Sequence, residues 1–166
     1  MQASLSRLEM PNNQKLKVEF SAPQDGWLTV TLTAVERHLK FFPSHTPYDS
    51  ISELVYALLK VVDGYGDAVV RWNDEPVEYE FLFKFEDDRV DFKVYTILDS
   101  VAGRMREEEF AFNGTLYEIV RPFWKALRDM ESKQSFADYK RQWREPFPES
   151  EMLELTRKVK ALKMSS

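Results

Sequence analysis

The chain has 166 residues, a formal net charge of −5, no cysteine and a hydrophobic share of 43%. This length suits one domain with a sizeable core, and the lack of cysteine excludes disulfides, zinc-thiolate sites and thiol nucleophiles. The acidic balance argues against nucleic acid and anionic membranes as partners, because both require concentrated Lys and Arg. No apolar run reaches the length of a signal peptide or a membrane span, so we expect a soluble cytoplasmic protein without membrane association.

The first strands are indicated by alternating apolar and polar residues at positions 16–20 and 28–32. The Pro, Asp and Gly residues between these two runs favour a turn, so the runs are predicted to form a hairpin. A third strand is predicted at residues 36–42, before Pro43. Residues 1–14 are expected to be a poorly ordered start of a single domain that spans residues 1–166.

Helical periodicity begins near residue 50, where apolar side chains recur three or four positions apart. Ser50 followed by Glu53 fits a capping box, and Gly64 is a natural stop after the last turn. The apolar stripe is wide. This helix is therefore predicted to pack across a sheet face.

A long hairpin is predicted from Tyr79 to Leu98, with its turn at Asp87 and Asp88 and a preceding strand at residues 67–72. Alternation places the Phe residues on one face, and opposite charges meet across the strands on the other. A slip of one residue would turn the Phe series outward, so the charge pairs support this register. The predicted pairs are Phe85 with Val90, Phe83 with Phe92, Phe81 with Val94, Tyr79 with Thr96, Lys84 with Asp91 and Glu86 with Arg89.

The residue pattern in the remaining third of the chain predicts one short strand followed by helices. The strand is placed at residues 107–112, and Thr115 with Glu118 predicts a capping box for the next helix. Pro122 lies inside that helical pattern, which predicts a kink or a displaced start. A short helix is predicted in "SFADYKRQW", and a last helix is predicted to begin at Pro148. The apolar side of this last helix consists of Met152, Leu155, Val159 and Leu162.

Together these elements predict an α+β fold built on a largely antiparallel sheet of six or seven strands. One helix is inserted after the third strand, and the C-terminal helices are expected to pack on one face of the sheet.

Carboxylates beside aromatic residues make the strand after Trp72 the first candidate site. Glu78 and Glu80 share one face of their predicted strand, and Glu80 is expected to lie beside Tyr95. Their separation of about 7 Å is that of any two residues two positions apart on a strand. A solvated sheet face therefore accounts for them as well as an active site does.

Other catalytic signals are absent from the sequence. His38 and His45 match no metal-binding motif, and the chain contains neither a phosphate-binding glycine loop nor a nucleophile elbow. We therefore expect no catalytic residue, no metal and no cofactor. Trp and Tyr exceed what one core face absorbs, which favours a binding surface. The candidate binding residues are Trp72, Glu78, Glu80, Tyr95 and Trp143.

Three segments, "WNDEPVEYEFLF", "FNGTLYEIVRPFWKAL" and "YKRQWREPFPESEMLEL", resemble small stand-alone bacterial proteins of uncharacterised function. Some proteins of this kind neutralise contact-delivered toxins and so act as immunity proteins. The resemblance covers about the last two thirds of the chain. It implies an intracellular α+β domain and assigns no functional residue.

The leading hypothesis is a non-enzymatic protein that binds a protein partner, with an immunity-type inhibitor as its concrete version. Surface acids would steer the association and aromatic residues would anchor it. The alternative is a small-molecule-binding protein or hydrolase, with a pocket lined by Trp72, Tyr79 and Tyr95 and with Glu78 or Glu80 as acid or base. Self-association through a strand edge is a third hypothesis, and a monomer or weak dimer is expected.

Overall fold

The computed structural model describes residues 15–165 as an α+β fold with two antiparallel sheets. The predicted disorder of residues 1–14 lies outside the described residues. The first sheet has the order β1 (Lys17–Phe20), β2 (Val30–Ala34), β3 (Arg37–Phe41), and the second has the order β4 (Ala68–Asp74), β5 (Val77–Glu86), β6 (Arg89–Ser100), β7 (Gly103–Thr115). The helices are α1 (Ser50–Val62), α2 (Leu116–Ser132), α3 (Phe136–Trp143) and α4 (Glu149–Ser165).

The prediction of a single sheet of six or seven strands was wrong, because the strands divide into sheets of three and four. Helix α1 contributes to the division, because its first turn is bonded to the free edge of β4 at Arg71. The Ser50 hydroxyl donates to the Arg71 carbonyl at 2.5 Å, and the Glu53 carboxylate accepts from the Arg71 amide at 3.3 Å. These two bonds occupy the free N–H and C=O of Arg71, so another strand cannot pair with β4 at that residue. The two sheets are linked there by an isolated bridge between Ser44 and Asn73.

Aromatic side chains join the two sheets in one hydrophobic core. Phe41 of β3 stacks on Tyr79 of β5, with 4.0 Å between ring centroids, and meets Trp72 and Phe81 edge-on. Phe123 of α2 packs against the same sheet. Such edge-to-face and stacked pairs add to the stabilisation that comes from burying apolar area. The buried apolar residues of α1, α2 and α4 belong to this core.

The predicted hairpin is confirmed, and every predicted pair of residues is found in the structure. Asp87 adopts a positive φ of 56° at the turn, a conformation that Asp tolerates better than most residues. The preceding strand is confirmed as β4. The predicted short strand at 107–112 is part of the longer β7, which pairs with β6 along its whole length.

The helix starts were predicted with mixed success. The capping box of Thr115 and Glu118 is confirmed, and α2 runs through Pro122 without a displaced start. The prediction of a capping box at Ser50 was wrong, because Asp49 caps α1 by accepting a hydrogen bond from the Ser52 amide. Tertiary contacts explain the difference, since the side chains of Ser50 and Glu53 are bound to β4 instead. Helix α4 begins one residue after Pro148 and buries Met152, Leu155 and Val159 as expected, whereas Leu162 is half-buried.

Candidate functional site

Strand alternation separates the candidate residues onto opposite faces of the second sheet. Trp72 pairs directly with Tyr79 on the core face, whereas Glu78, Glu80 and Tyr95 lie on the outer face. Trp72 is fully buried, with the rings of Phe20, Phe41 and Phe81 at centroid distances of 5.1 to 6.1 Å. The pocket of the enzyme hypothesis would therefore need residues from both sides of one sheet.

Trp143 lies in a different part of the fold. It is the last residue of α3, is fully buried, and donates its indole N–H to the Asp49 carboxylate at 2.9 Å. The ring of His45 meets it edge-on at 6.3 Å. The indole thus ties α3 to the start of α1. The structure brings together three of the five candidate residues, namely Glu78, Glu80 and Tyr95.

Three further residues complete the outer-face cluster, which we call the Tyr–Arg–Glu face. It consists of Tyr48, Arg71, Glu78, Glu80, Tyr95 and Arg106.

One half of the Tyr–Arg–Glu face is organised around Arg106 of β7. Its guanidinium donates to the Glu80 carboxylate at 2.7 Å and lies over the Tyr95 ring, with Cζ 3.7 Å from the centroid. Cross-strand register creates this arrangement, because Glu80 is opposite Tyr95, and Arg106 lies on the same face of β7, two residues from Glu108, which is the β7 partner of Tyr95. The Glu80 side chain is only 17% exposed, so the ion pair covers it. Arg106 is thereby held flat against the sheet.

The other half is organised around Tyr48, which precedes α1. Its hydroxyl donates to the Glu78 carboxylate at 2.6 Å, and the guanidinium of Arg71 lies over its ring at 4.5 Å. The two halves thus repeat one motif, in which an Arg lies over a Tyr and a carboxylate is held beside them. Both carboxylates accept hydrogen bonds from this surface. The arrangement offers ordered cationic and aromatic groups on an exposed sheet face.

Sequence reasoning missed Tyr48, Arg71 and Arg106. The outward position of Arg71 could have been predicted, because neighbouring residues of a strand face opposite sides and Trp72 is expected in the core. The face on which Arg106 lies could not have been predicted, because a β-bulge shifts the register of β7 between the partners of Val94 and Tyr95. A bulge reverses the alternation on one strand. Tyr48 lies in a loop, where periodicity carries no information.

The hydrogen bond from Tyr48 to Glu78 raises the pKa of the Tyr48 phenol, and partial burial and the charge of Glu78 act in the same direction. The raised value favours the neutral phenol in the folded state. The contribution of the Tyr48 hydrogen bond to stability is therefore complete below the ordinary tyrosine pKa of about 10. It is lost as the pH rises through the pKa that Tyr48 has in the folded protein.

Replacement Glu78→Gln is expected to lower the pKa of Tyr48 toward the ordinary tyrosine value, because the charge that opposes ionisation is removed. NMR of protein labelled at the tyrosine ζ carbon would follow the titration, with Tyr48→Phe used to assign the resonance. Glu108→Gln on the same sheet face is the matched control and should leave the Tyr48 titration unchanged. An unaltered titration in Glu78→Gln would show that the phenol is not bonded to this carboxylate.

Four clefts lined by residues of the range 15–165 lie away from the Tyr–Arg–Glu face, and none of these four is lined by its residues. Among residues 15–165, no three His, Asp or Glu side chains are grouped closely enough to hold a metal ion. In the same part of the chain, no helix has the length and apolarity needed to cross a membrane. Of the residues of the face, Arg71 and Arg106 are exposed and the other four are half-buried.

Comparison of the chain with protein-family models, with curated proteins and with solved structures found no match.

Proposed function

We propose that this protein is a non-enzymatic binding protein and that the Tyr–Arg–Glu face is the surface with which it binds a protein partner. The observation that supports the proposal best is the pair of guanidinium groups, those of Arg71 and Arg106, ordered over tyrosine rings on an open sheet face. Arg and Tyr are among the residues that contribute most to protein–protein affinity.

Preorganisation is the physical reason that this face suits a partner. An Arg side chain loses considerable rotamer freedom when a partner immobilises it. Here Arg106 is already held by Glu80 and Tyr95, and Arg71 lies over Tyr48, so part of that entropy has been lost on folding. Their remaining N–H donors can bond carboxylates or carbonyls of a partner.

The shape of the face favours a macromolecule over a small ligand. Small molecules bind in concave sites that enclose most of their surface. The outer face of a twisted sheet encloses little, and the buried apolar residues of the helices belong to the core cluster. A protein can cover such a surface, since a specific protein–protein interface buries about 800 Å² on each partner.

Charge supports the inhibitor version of this proposal. The face itself carries two cations and two carboxylates, and β7, the edge strand that carries Arg106, also has the consecutive exposed residues Glu107, Glu108 and Glu109, of which Glu108 shares the outer face and pairs with Lys93 at 3.3 Å. Together with the net charge of −5, these acids would accelerate association with a basic partner. The same charges and the bulge in β7 oppose strand-to-strand pairing at this edge. An intracellular immunity-type inhibitor of a basic protein is the form that we propose.

The double variant Arg71→Ala, Arg106→Ala is expected to bind the partner at least about 30-fold more weakly, because two anchoring side chains at the centre of the interface are removed. The partner would be captured from cells that naturally produce the protein, purified, and its affinity measured by calorimetry. Both arginines are exposed, so the fold should be retained.

The matched control is Arg157→Ala, which removes an exposed Arg from α4, and it should leave the affinity unchanged. Increasing salt should slow association with wild type and control alike, as expected for steering by net charge. Equal affinity of the double variant and wild type would exclude the Tyr–Arg–Glu face as the interface.

A further inference from the structure

A second feature of the molecule, separate from the Tyr–Arg–Glu face, is a cleft of about 390 Å³ between the start of β1, the end of β7, the first turns of α2 and the end of α4. This volume falls in the range that accommodates a small organic molecule. Its lining divides into an apolar floor and a charged rim, each of which follows from the local structure.

Aromatic and aliphatic side chains form the floor. Leu16 is buried, Phe112 and Tyr117 are half-buried, and all three face the cleft. Gly114 permits this arrangement, because a Cβ atom there would lie 3.2 Å from the Phe112 ring and 3.1 Å from Cβ of Glu118. The floor therefore offers apolar surface against which a flat molecule can lie.

The rim is predominantly cationic. Lys15, Arg121 and Lys163 line it together with one acid, Glu118. The Glu118 carboxylate is engaged in the capping box, where it accepts from the Thr115 amide at 2.8 Å. Within the described part of the chain, neither Lys15 nor Arg121 forms an ion pair, although the protein as a whole is acidic.

One residue of the floor and one of the rim lie on the same side of α2. Tyr117 and Arg121 are one turn apart on α2, so the phenol ring and the guanidinium lie on the same side of the helix. A guanidinium binds a carboxylate through two parallel hydrogen bonds, and the adjacent ring can contact the apolar body that carries it.

We propose that this cleft binds a small organic anion, a carboxylate attached to a flat apolar body, with Arg121 as the carboxylate ligand and Phe112 and Tyr117 as the apolar platform. Lys15 and Lys163 add favourable charge at the mouth. The site is independent of the Tyr–Arg–Glu face, and a protein that binds a partner elsewhere can carry it.

The test uses the full chain and two probes, naphthoate and its uncharged analogue naphthamide, followed by backbone-amide NMR shifts. Naphthoate is expected to bind with a dissociation constant on the order of 1 mM, as suits a small rigid ligand. Its shifts should be confined to residues around the cleft, including Leu16, Phe112 and Tyr117. Naphthamide and the variant Arg121→Gln should each show affinity weakened by about tenfold.

Arg128→Gln is the control, since it removes the same charge from α2 at an exposed position outside the cleft, where Arg128 pairs with Glu131 at 3.3 Å. It should bind naphthoate as wild type does. Equal binding of naphthamide, equal weakening by the two Arg variants, or shifts located elsewhere would each overturn the proposal. The outcome does not depend on any protein partner, so this inference and the proposed function can fail separately.

Discussion

Replacement Trp72→Ala is expected to lower the free energy of unfolding by about 3–5 kcal/mol, the usual cost of removing a large aromatic side chain from a packed core. The indole is fully buried and contacts Phe20 and Phe41 of the first sheet and Phe81 of the second. Its loss leaves a cavity at the junction of the two sheets, where neither can collapse without moving the other. Urea unfolding followed by circular dichroism measures the change.

Trp27→Ala is the matched control, because Trp27 is 46% exposed. This replacement should lower the free energy of unfolding by less than about 1 kcal/mol. A second variant, Trp72→Phe, separates packing from hydrogen bonding. Within the described residues the indole N–H of Trp72 has no hydrogen-bond partner, so its removal relieves a desolvation penalty that offsets part of the lost packing. Trp72→Phe should therefore be clearly milder than Trp72→Ala. Similar losses for Trp72→Ala and Trp27→Ala would contradict a core role for Trp72.

Replacement Asp49→Ala is expected to cost about 2–4 kcal/mol of stability, because one carboxylate serves two donors. It caps α1 through the Ser52 amide, and such a cap contributes about 1 kcal/mol. It also accepts from the buried indole of Trp143, and a buried N–H left without a partner costs a further 1–3 kcal/mol or so. The measurement is again urea unfolding.

Asp49→Asn is the matched variant, since both donors bond the same oxygen, Oδ1, and an amide oxygen can accept from both, though less strongly than a carboxylate, at nearly the same volume. It should retain at least about half of the stability that Asp49→Ala loses. Trp143 is one of four Trp residues, so its emission is isolated by comparison with a Trp143→Phe variant. If Asp49→Ala costs less than about 1 kcal/mol and leaves that emission unchanged, the indole–carboxylate bond is not made.

Local features of the sequence were enough to predict the long hairpin. Its register was readable because the Phe series and the charge pairs, such as Lys84 with Asp91, repeat at intervals of two on adjacent strands joined by a short turn. The start of α2 was readable for a similar reason, since Thr115 and Glu118 bond each other's backbone within one turn. In both cases the interacting residues are close in the chain.

The candidate site was only partly readable from the sequence. Alternation correctly placed Glu78 and Glu80 away from the core, and pairing correctly placed Glu80 beside Tyr95. Alternation could not show that Tyr48 would arrive from a loop or that a bulge would aim Arg106 at Glu80. The high content of Trp and Tyr also led to the prediction of too many surface aromatic residues, because Trp72 and Trp143 are both buried.

By itself, then, the sequence determined the α+β class, the hairpin and its register, and the start of α2, because these depend on interactions between near neighbours in the chain. The tertiary structure alone decided that the strands form two sheets, with the first turn of α1 bonded to the edge of β4 through Ser50 and Glu53. It alone assembled the Tyr–Arg–Glu face as well. The hydrogen bond from Tyr48 to Glu78 and the ion pair of Glu80 with Arg106 close loops of many residues. No local pattern encodes such contacts, because their formation depends on how the whole core packs.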